Sequence, residues 1–147
     1  MTSEDIATAL RWHAEVFVAD KHHVAEQICA PDFRWHNPNI PEQFRSGPAG
    51  AVEFARLIRA AYPDYDLPHK YTIAEGDRVV TLWDFVGTNE GEFLGVPATG
   101  NRVHISGIDV FRVVDGRITD LWQEFDVMGW FTQIGIVQIA VPESATV

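Results

Sequence analysis

From His104 to Asp126 apolar and polar residues alternate, with one break at Val114-Asp115-Gly116. Alternation at every second position marks a strand with one buried face, and Asp-Gly marks a tight turn, so this stretch is predicted to form a hairpin. A three-residue loop over Val114-Asp115-Gly116 sets Val113 opposite Arg117, Phe111 opposite Thr119, Asp109 opposite Leu121 and Gly107 opposite Gln123. One face then carries Ile105, Phe111, Val113, Leu121 and Phe125, with Asp109 and Gln123 among them. The other carries His104, Ser106, Ile108, Val110, Arg112, Ile118, Asp120, Trp122 and Glu124. The first face is the expected wall of a pocket.

Helical spacing dominates the N-terminal half. Thr2 with Asp5 reads as a capping box, and Ile6, Leu10, Ala14 and Phe17 recur at helical intervals, predicting a helix over Ser3–Ala19. Asp20 is placed to cap a short second helix carrying Val24, Ile28 and Cys29, which Pro31 ends. Phe33–Asn37 reads as a short strand, Asn39–Gly50 as loop, and Ala51–Ala61 as a third helix. Tyr71–Ile73 and Arg78–Thr88 read as strands about the turn Glu75-Gly76-Asp77. Asn89–Asn101 is a Gly/Pro-punctuated loop, and Val127–Ile134 a last short helix with Met128, Trp130 and Phe131. Helices first and antiparallel strands after predict an α+β fold, with three to four helices on one face of a curved antiparallel sheet around a cone-shaped pocket. The far sheet face, with Trp122 among its apolar residues, suits a dimer or tetramer contact. Residues 1–141 read as one domain and 142–147 as a disordered tail.

Composition narrows the classes. At 147 residues the chain can bury a sizeable core. The net charge of −10 with no basic run argues against nucleic acid and anionic membrane surfaces. One cysteine, Cys29, excludes an internal disulfide and a thiolate metal cluster. The N-terminus lacks a signal-peptide pattern, and no apolar run matches a bilayer, so the cytoplasm is the expected compartment.

Candidate chemistry centres on carboxylates set among apolar residues, which are costly unless paired or used. Asp109 lies on the predicted pocket face, and Gln123 beside it offers an amide that can hold a carbonyl or enolate. Asp84 shares a largely apolar strand face with Val80, Leu82 and Val86, so it is a second candidate, able to share a proton with Asp109 if both strands face one cavity. Leu121, Phe111 and Leu82 are candidate substrate contacts from those faces, and Trp35 an aromatic wall. Phe93 and Leu94 are expected to cap the pocket mouth. The histidines show no metal-ligand spacing, so no metal is expected.

The stretch GTNEGEFLGVPATG (Gly87–Gly100), then GIDVFRVVDGRITDLW, the final D…QIG, HNP at His36–Pro38 and YPD at Tyr62–Asp64 together resemble the SnoaL-like polyketide cyclases of the nuclear-transport-factor-2-like superfamily. The resemblance covers nearly all of Val24–Gly135. It implies the cone-shaped α+β barrel, no metal and no organic cofactor, and aldol-type ring closure of a small aromatic or poly-keto substrate in antibiotic biosynthesis. It also implies that His36 faces the cavity, with Asn37 beside it, as a proton shuttle. The family's acid/base aspartate falls at Gln123, and its usual histidines fall at Asp109, Leu121 and Asn89. This suggests that Asp109 has inherited proton transfer while Gln123 positions the substrate. A limonene-epoxide-hydrolase type of the same size uses an Asp-Arg-Asp set; here its arginine is Leu82, one aspartate is Asp84 and the other is Gln123. Epoxide hydrolysis and a non-catalytic small-molecule-binding dimer are the alternatives.

Overall fold

The computed structural model describes residues 3–138, 140, 142 and 143. Thr2 and residues 144–147, which bear on the expected capping box and tail, lie outside the described residues. In chain order the elements are α1 (Ser3–Arg11) running into a π-helical stretch (Trp12–Val18), α2 (Val24–Ile28), β1 (Cys29–His36), a 3-10 turn (Glu42–Phe44), α3 (Gly47–Ala61), β2 (His69–Glu75), β3 (Arg78–Thr88), β4 (Arg102–Val114), β5 (Arg117–Phe125) and α4 (Val127–Gln133). The strands form one sheet in the order β1-β5-β4-β3-β2. All pairs are antiparallel except β1 with β5, which is parallel. This is the α+β architecture that the order of elements predicts.

The hairpin differs from its expected form in a way that leaves its faces almost unchanged. The loop has two residues, Asp115 and Gly116, both with positive φ (51° and 76°), as a type I′ turn requires. A two-residue loop by itself would turn one strand over relative to the other. A bulge prevents this: Val113 pairs with Ile118, but Arg112 pairs with Asp120, leaving Thr119 as the extra residue. Beyond it Phe111 faces Leu121, Asp109 faces Gln123 and Gly107 faces Phe125, one step of two residues from the expected register. Ile118, expected outside, is fully buried because it precedes the bulge.

The first helix also presents a different stripe. Ala9, Trp12, His13, Val16 and Phe17 are its buried residues, while Ala14 is exposed. That is an i, i+3, i+4, i+7, i+8 stripe one notch away from the predicted one, and it turns a histidine into the core. Trp12 anchors the packing, with ring centroids 5.2 Å from Phe17 and Phe33 and 5.4 Å from Trp35. Each such buried aromatic contributes on the order of 2 kcal/mol through burial alone. Asp20, expected to cap α2, instead pairs with Arg59 of α3 at 3.1 Å. β1, β2 and α3 each begin two to four residues earlier than expected; β1 starts at Cys29 and α3 takes Pro48 into its first turn.

The 89–101 loop is braced rather than loose. Buried Asn89 accepts from Thr99 N and Oγ1 at 2.9 Å and donates to Gly91 O at 3.1 Å. Glu90 N and Gly91 N both donate to Ala61 O at the end of α3. Gly91 is required there, since a Cβ would lie 2.2 Å from Ala60 O. Phe93, expected at an exposed mouth, is buried between Phe54 and Trp130; Leu94 is exposed. No helix among the described residues is long and apolar enough to cross a membrane.

Candidate active site

Between the inner sheet face and the helices lies a cavity of about 600 Å³, open solvent at its mouth included. The centre of a water molecule can move through about 80 Å³ of it, room for several waters. Trp12, Trp35, Phe54, Tyr62, Trp83 and Trp130 are among its walls, and its polar members are few, chiefly His13 and Gln123.

A chain of buried polar groups runs behind that wall. Trp35 Nε1 and Asn37 Nδ2 both donate to Gln123 Oε1, at 3.2 and 3.0 Å. Gln123 Nε2 donates to Asp109 Oδ1 at 2.9 Å. The other carboxyl oxygen, Oδ2, receives no aligned hydrogen bond; His13 Nε2 faces it at 2.8 Å, off the ring N–H axis. On its far side His13 Nδ1 meets His69 Nε2 at 2.6 Å. Asp109 is completely buried, His13 nearly so, and His69 reaches partial exposure at the start of the edge strand β2. Burial pushes the His69 imidazole down to about 4, His13 adds to the depression and Asp109 opposes it.

Gln123 and Trp83, both residues of the cavity wall, carry N–H groups for which no acceptor is found among the described residues. One is the second N–H of the Gln123 amide. The other is the indole N–H of Trp83, buried with no partner. Trp83 packs flat over Gly107, where a Cβ would stand 2.2 Å from its Cζ2. Tyr62 accepts from Trp130 Nε1 at 2.6 Å, which braces α4 against the end of α3. An apolar cavity with the Gln123 amide in its wall suits an apolar ligand that carries a carbonyl oxygen.

The structure brings Asp109, Gln123, Asn37 and Trp35 into one network. Phe111 and Leu121 are fully buried on the same inner face, beneath the cavity rather than in its wall. Three candidates fall elsewhere. His36 is exposed on the outer sheet face, stacked on Trp122 at 4.9 Å and bonded to Asp120 at 2.9 Å. The inner residues of β1 are Phe33 and Trp35, so strand alternation turns His36 outward. Asp84 and Leu82 also face outward, because β3 buries Val79, Thr81, Trp83 and Phe85. Asp84 pairs with His104 at 2.9 Å and Lys70 at 3.1 Å, and the hydrogen bond from His104 holds its carboxyl below the usual range against a smaller effect of burial. Asp84 and Asp109 therefore do not share a proton. His13 and His69 are the residues that sequence reasoning missed. The available signal was the stripe Ala9-Trp12-His13-Val16-Phe17, which contains two aromatic residues and one histidine.

A curved sheet closed by helices over an apolar cavity with a few convergent polar groups defines a small-molecule pocket protein of the nuclear-transport-factor-2-like kind. The profile of the SnoaL-like polyketide cyclase family matches residues 7–134, and the chain belongs to that family. Over 102 residues it is 31% identical to the aklanonic acid methyl ester cyclase DnrD of Streptomyces peucetius, covering 68% of this chain and 66% of that protein, just under two thirds of its length. TsrD from Streptomyces laurentii has the same fold, with a TM-score of 0.81 at 24% identity over 93% of this chain and 99% of that one. A protein of Jannaschia sp. CCS1 classed as a SnoaL-like polyketide cyclase superposes with a TM-score of 0.81 at 24% identity, over 92% and 94% of the two chains.

Proposed function

We propose that this protein is a cyclase-type enzyme that closes a ring in, or rearranges, a small poly-keto substrate by proton transfer. The observation that carries the reading is the buried Asp109–His13 couple beside an apolar cavity that has the Gln123 amide in its wall. His13 is the member on the cavity wall, and Asp109 is fully buried behind it. Asp109 Oδ2 stands 2.8 Å from His13 Nε2, placed against that nitrogen once it carries a proton. His13 Nε2 therefore takes the proton from the carbon between two carbonyls, and Asp109 stabilises the imidazolium formed. The enolate oxygen is held by the second N–H of the Gln123 amide. The enolate carbon attacks a second carbonyl, a C–C bond forms, and the same proton returns to the alkoxide. Substrate and product have equal mass, and the couple ends as it began.

Membership of the cyclase family and the likeness to DnrD support this reading. Epoxide hydrolysis loses support, because Leu82 and Asp84 lie on the outer face and no arginine lines the cavity. The outer face carries two cross-strand apolar rows, Tyr71-Leu82-Ile108 and Ile73-Val80-Val110-Trp122, and the proposal includes a homo-oligomer packed through them. The test is turnover of a panel of poly-keto esters and epoxides, read by mass spectrometry, for wild type, Asp109→Asn, His13→Gln and Asp84→Asn. The expected result is isomerisation at unchanged mass in wild type and Asp84→Asn, reduced on the order of 100-fold or more in the other two. Gain of one water would make it a hydrolase. Retention of a panel member without turnover would make it a binding protein.

A further inference from the structure

We propose that His69 is a proton port, through which the buried Asp109–His13 couple exchanges protons with solvent while a ligand fills the cavity. The inference rests on the acid/base reading above and adds a route to it. Asp109 is fully buried, so a proton held there or on His13 needs a path. The path through Gln123 ends at Trp35 Nε1 and the Asn37 amide, neither of which takes up and releases protons near neutrality. The path through the cavity closes when an apolar ligand displaces its water. The remaining side of His13 is Nδ1, and what faces it at 2.6 Å is His69 Nε2. His69 stands at the end of the edge strand, where the β2–β3 register is irregular, and its ring is partly open to water. It lies opposite Trp83 in that pairing, and the ionisable groups acting on it are His13 and Asp109. Lys70 beside it turns to Asp84 on the outer face.

The transfers balance. At rest His13 Nδ1–H donates to His69 Nε2, and His69 carries its own proton on Nδ1. When His13 Nε2 gains a proton from a ligand carbon, Nδ1–H passes to His69 Nε2 and His69 Nδ1–H leaves to water. In the reverse sequence a water proton adds to His69 Nδ1, His69 Nε2–H returns to His13 Nδ1, and His13 Nε2–H goes to the alkoxide, which restores both tautomers. Neither ring keeps a charge between the two passages. Burial holds the His69 ring neutral, so its Nε2 lone pair is free to accept as its Nδ1–H leaves.

The experiment needs no substrate, only an inert apolar ligand, toluene, at saturation to displace the cavity water. Protein labelled with 15N-histidine and 15N-tryptophan gives the rate at which the His13 ring N–H exchanges with water, by saturation transfer, in wild type, His69→Gln and His69→Phe. Glutamine keeps a polar contact but cannot pass a proton through itself. Both substitutions are expected to slow His13 N–H exchange about tenfold or more, while exchange of Trp35 Nε1–H stays unchanged. Equal His13 rates in wild type and His69→Gln overturn the proposal. If neither variant folds, wild type still decides: His13 N–H exchanging no faster than Trp35 Nε1–H, buried and bonded to Gln123, overturns it too. A failed turnover panel with fast His13 exchange would sink the cyclase reading alone; normal turnover with slow exchange would sink the port alone.

Discussion

Replacing Gln123 by leucine removes the junction of the buried network without changing its volume much. The substitution leaves three buried groups without their partner: Trp35 Nε1–H, the Asn37 amide and Asp109 Oδ1. The two neutral donors are worth about 1 kcal/mol each and the bond to the carboxylate about 2, giving a loss of about 4 kcal/mol. For a chain of 147 residues that lowers the melting temperature by about 12 °C. Against a stability of about 5–15 kcal/mol the protein still folds, so the loss is measurable by urea unfolding at equilibrium. A cycle with Asp109→Leu isolates the carboxylate contact, with a coupling of about 2 kcal/mol expected. A loss under about 1 kcal/mol, with the two substitutions additive, would show that Gln123 is not the junction and that water satisfies these groups instead.

Gly107→Ala puts a methyl group 2.2 Å from Cζ2 of Trp83, so the indole must shift; about 1–3 kcal/mol of stability and a changed tryptophan emission are expected, and an unchanged protein on both counts would show that Trp83 is free to move. Burial, opposed only in part by Arg117, pushes the Cys29 thiol up to about 12. Native protein at pH 8 should therefore resist iodoacetamide and react fully once unfolded in urea; rapid labelling of the native state would refute the burial argument.

The sequence showed the hairpin and its inner face because alternation is a local property of the chain. The turn length was misread, yet Asp109 and Gln123 still emerged on the same face, because the bulge at Thr119 restored the parity that the shorter loop removed. Nothing in the residue pattern announces such a compensation. The faces of β1 and β3 were harder to read. β3 alternates between two rows that are both largely apolar, and the outward row carries Val80, Leu82 and Val86. Its inner row was identifiable only by the partner that covers it. His36 was assigned inward by resemblance, whereas alternation from Trp35 points it outward. His13 was missed because the helix phase was set on aliphatic residues, while the buried stripe is the one that carries Trp12 and Phe17.

The parallel pairing of β1 with β5 has a consequence for the order in which the molecule is made. Trp35 and Asn37 meet Gln123 across 88 and 86 positions of chain, and β5 is the last strand to be synthesised. A nascent chain that has released α1 through β3 from the ribosome therefore holds His13 without Asp109, and Trp35 and Asn37 without Gln123. Closing such long loops is entropically slow, so the buried polar network arises late in folding, after local helices and hairpins are in place. Until then the aromatic wall is exposed, and this interval after synthesis is when the chain is most open to chaperones and to aggregation.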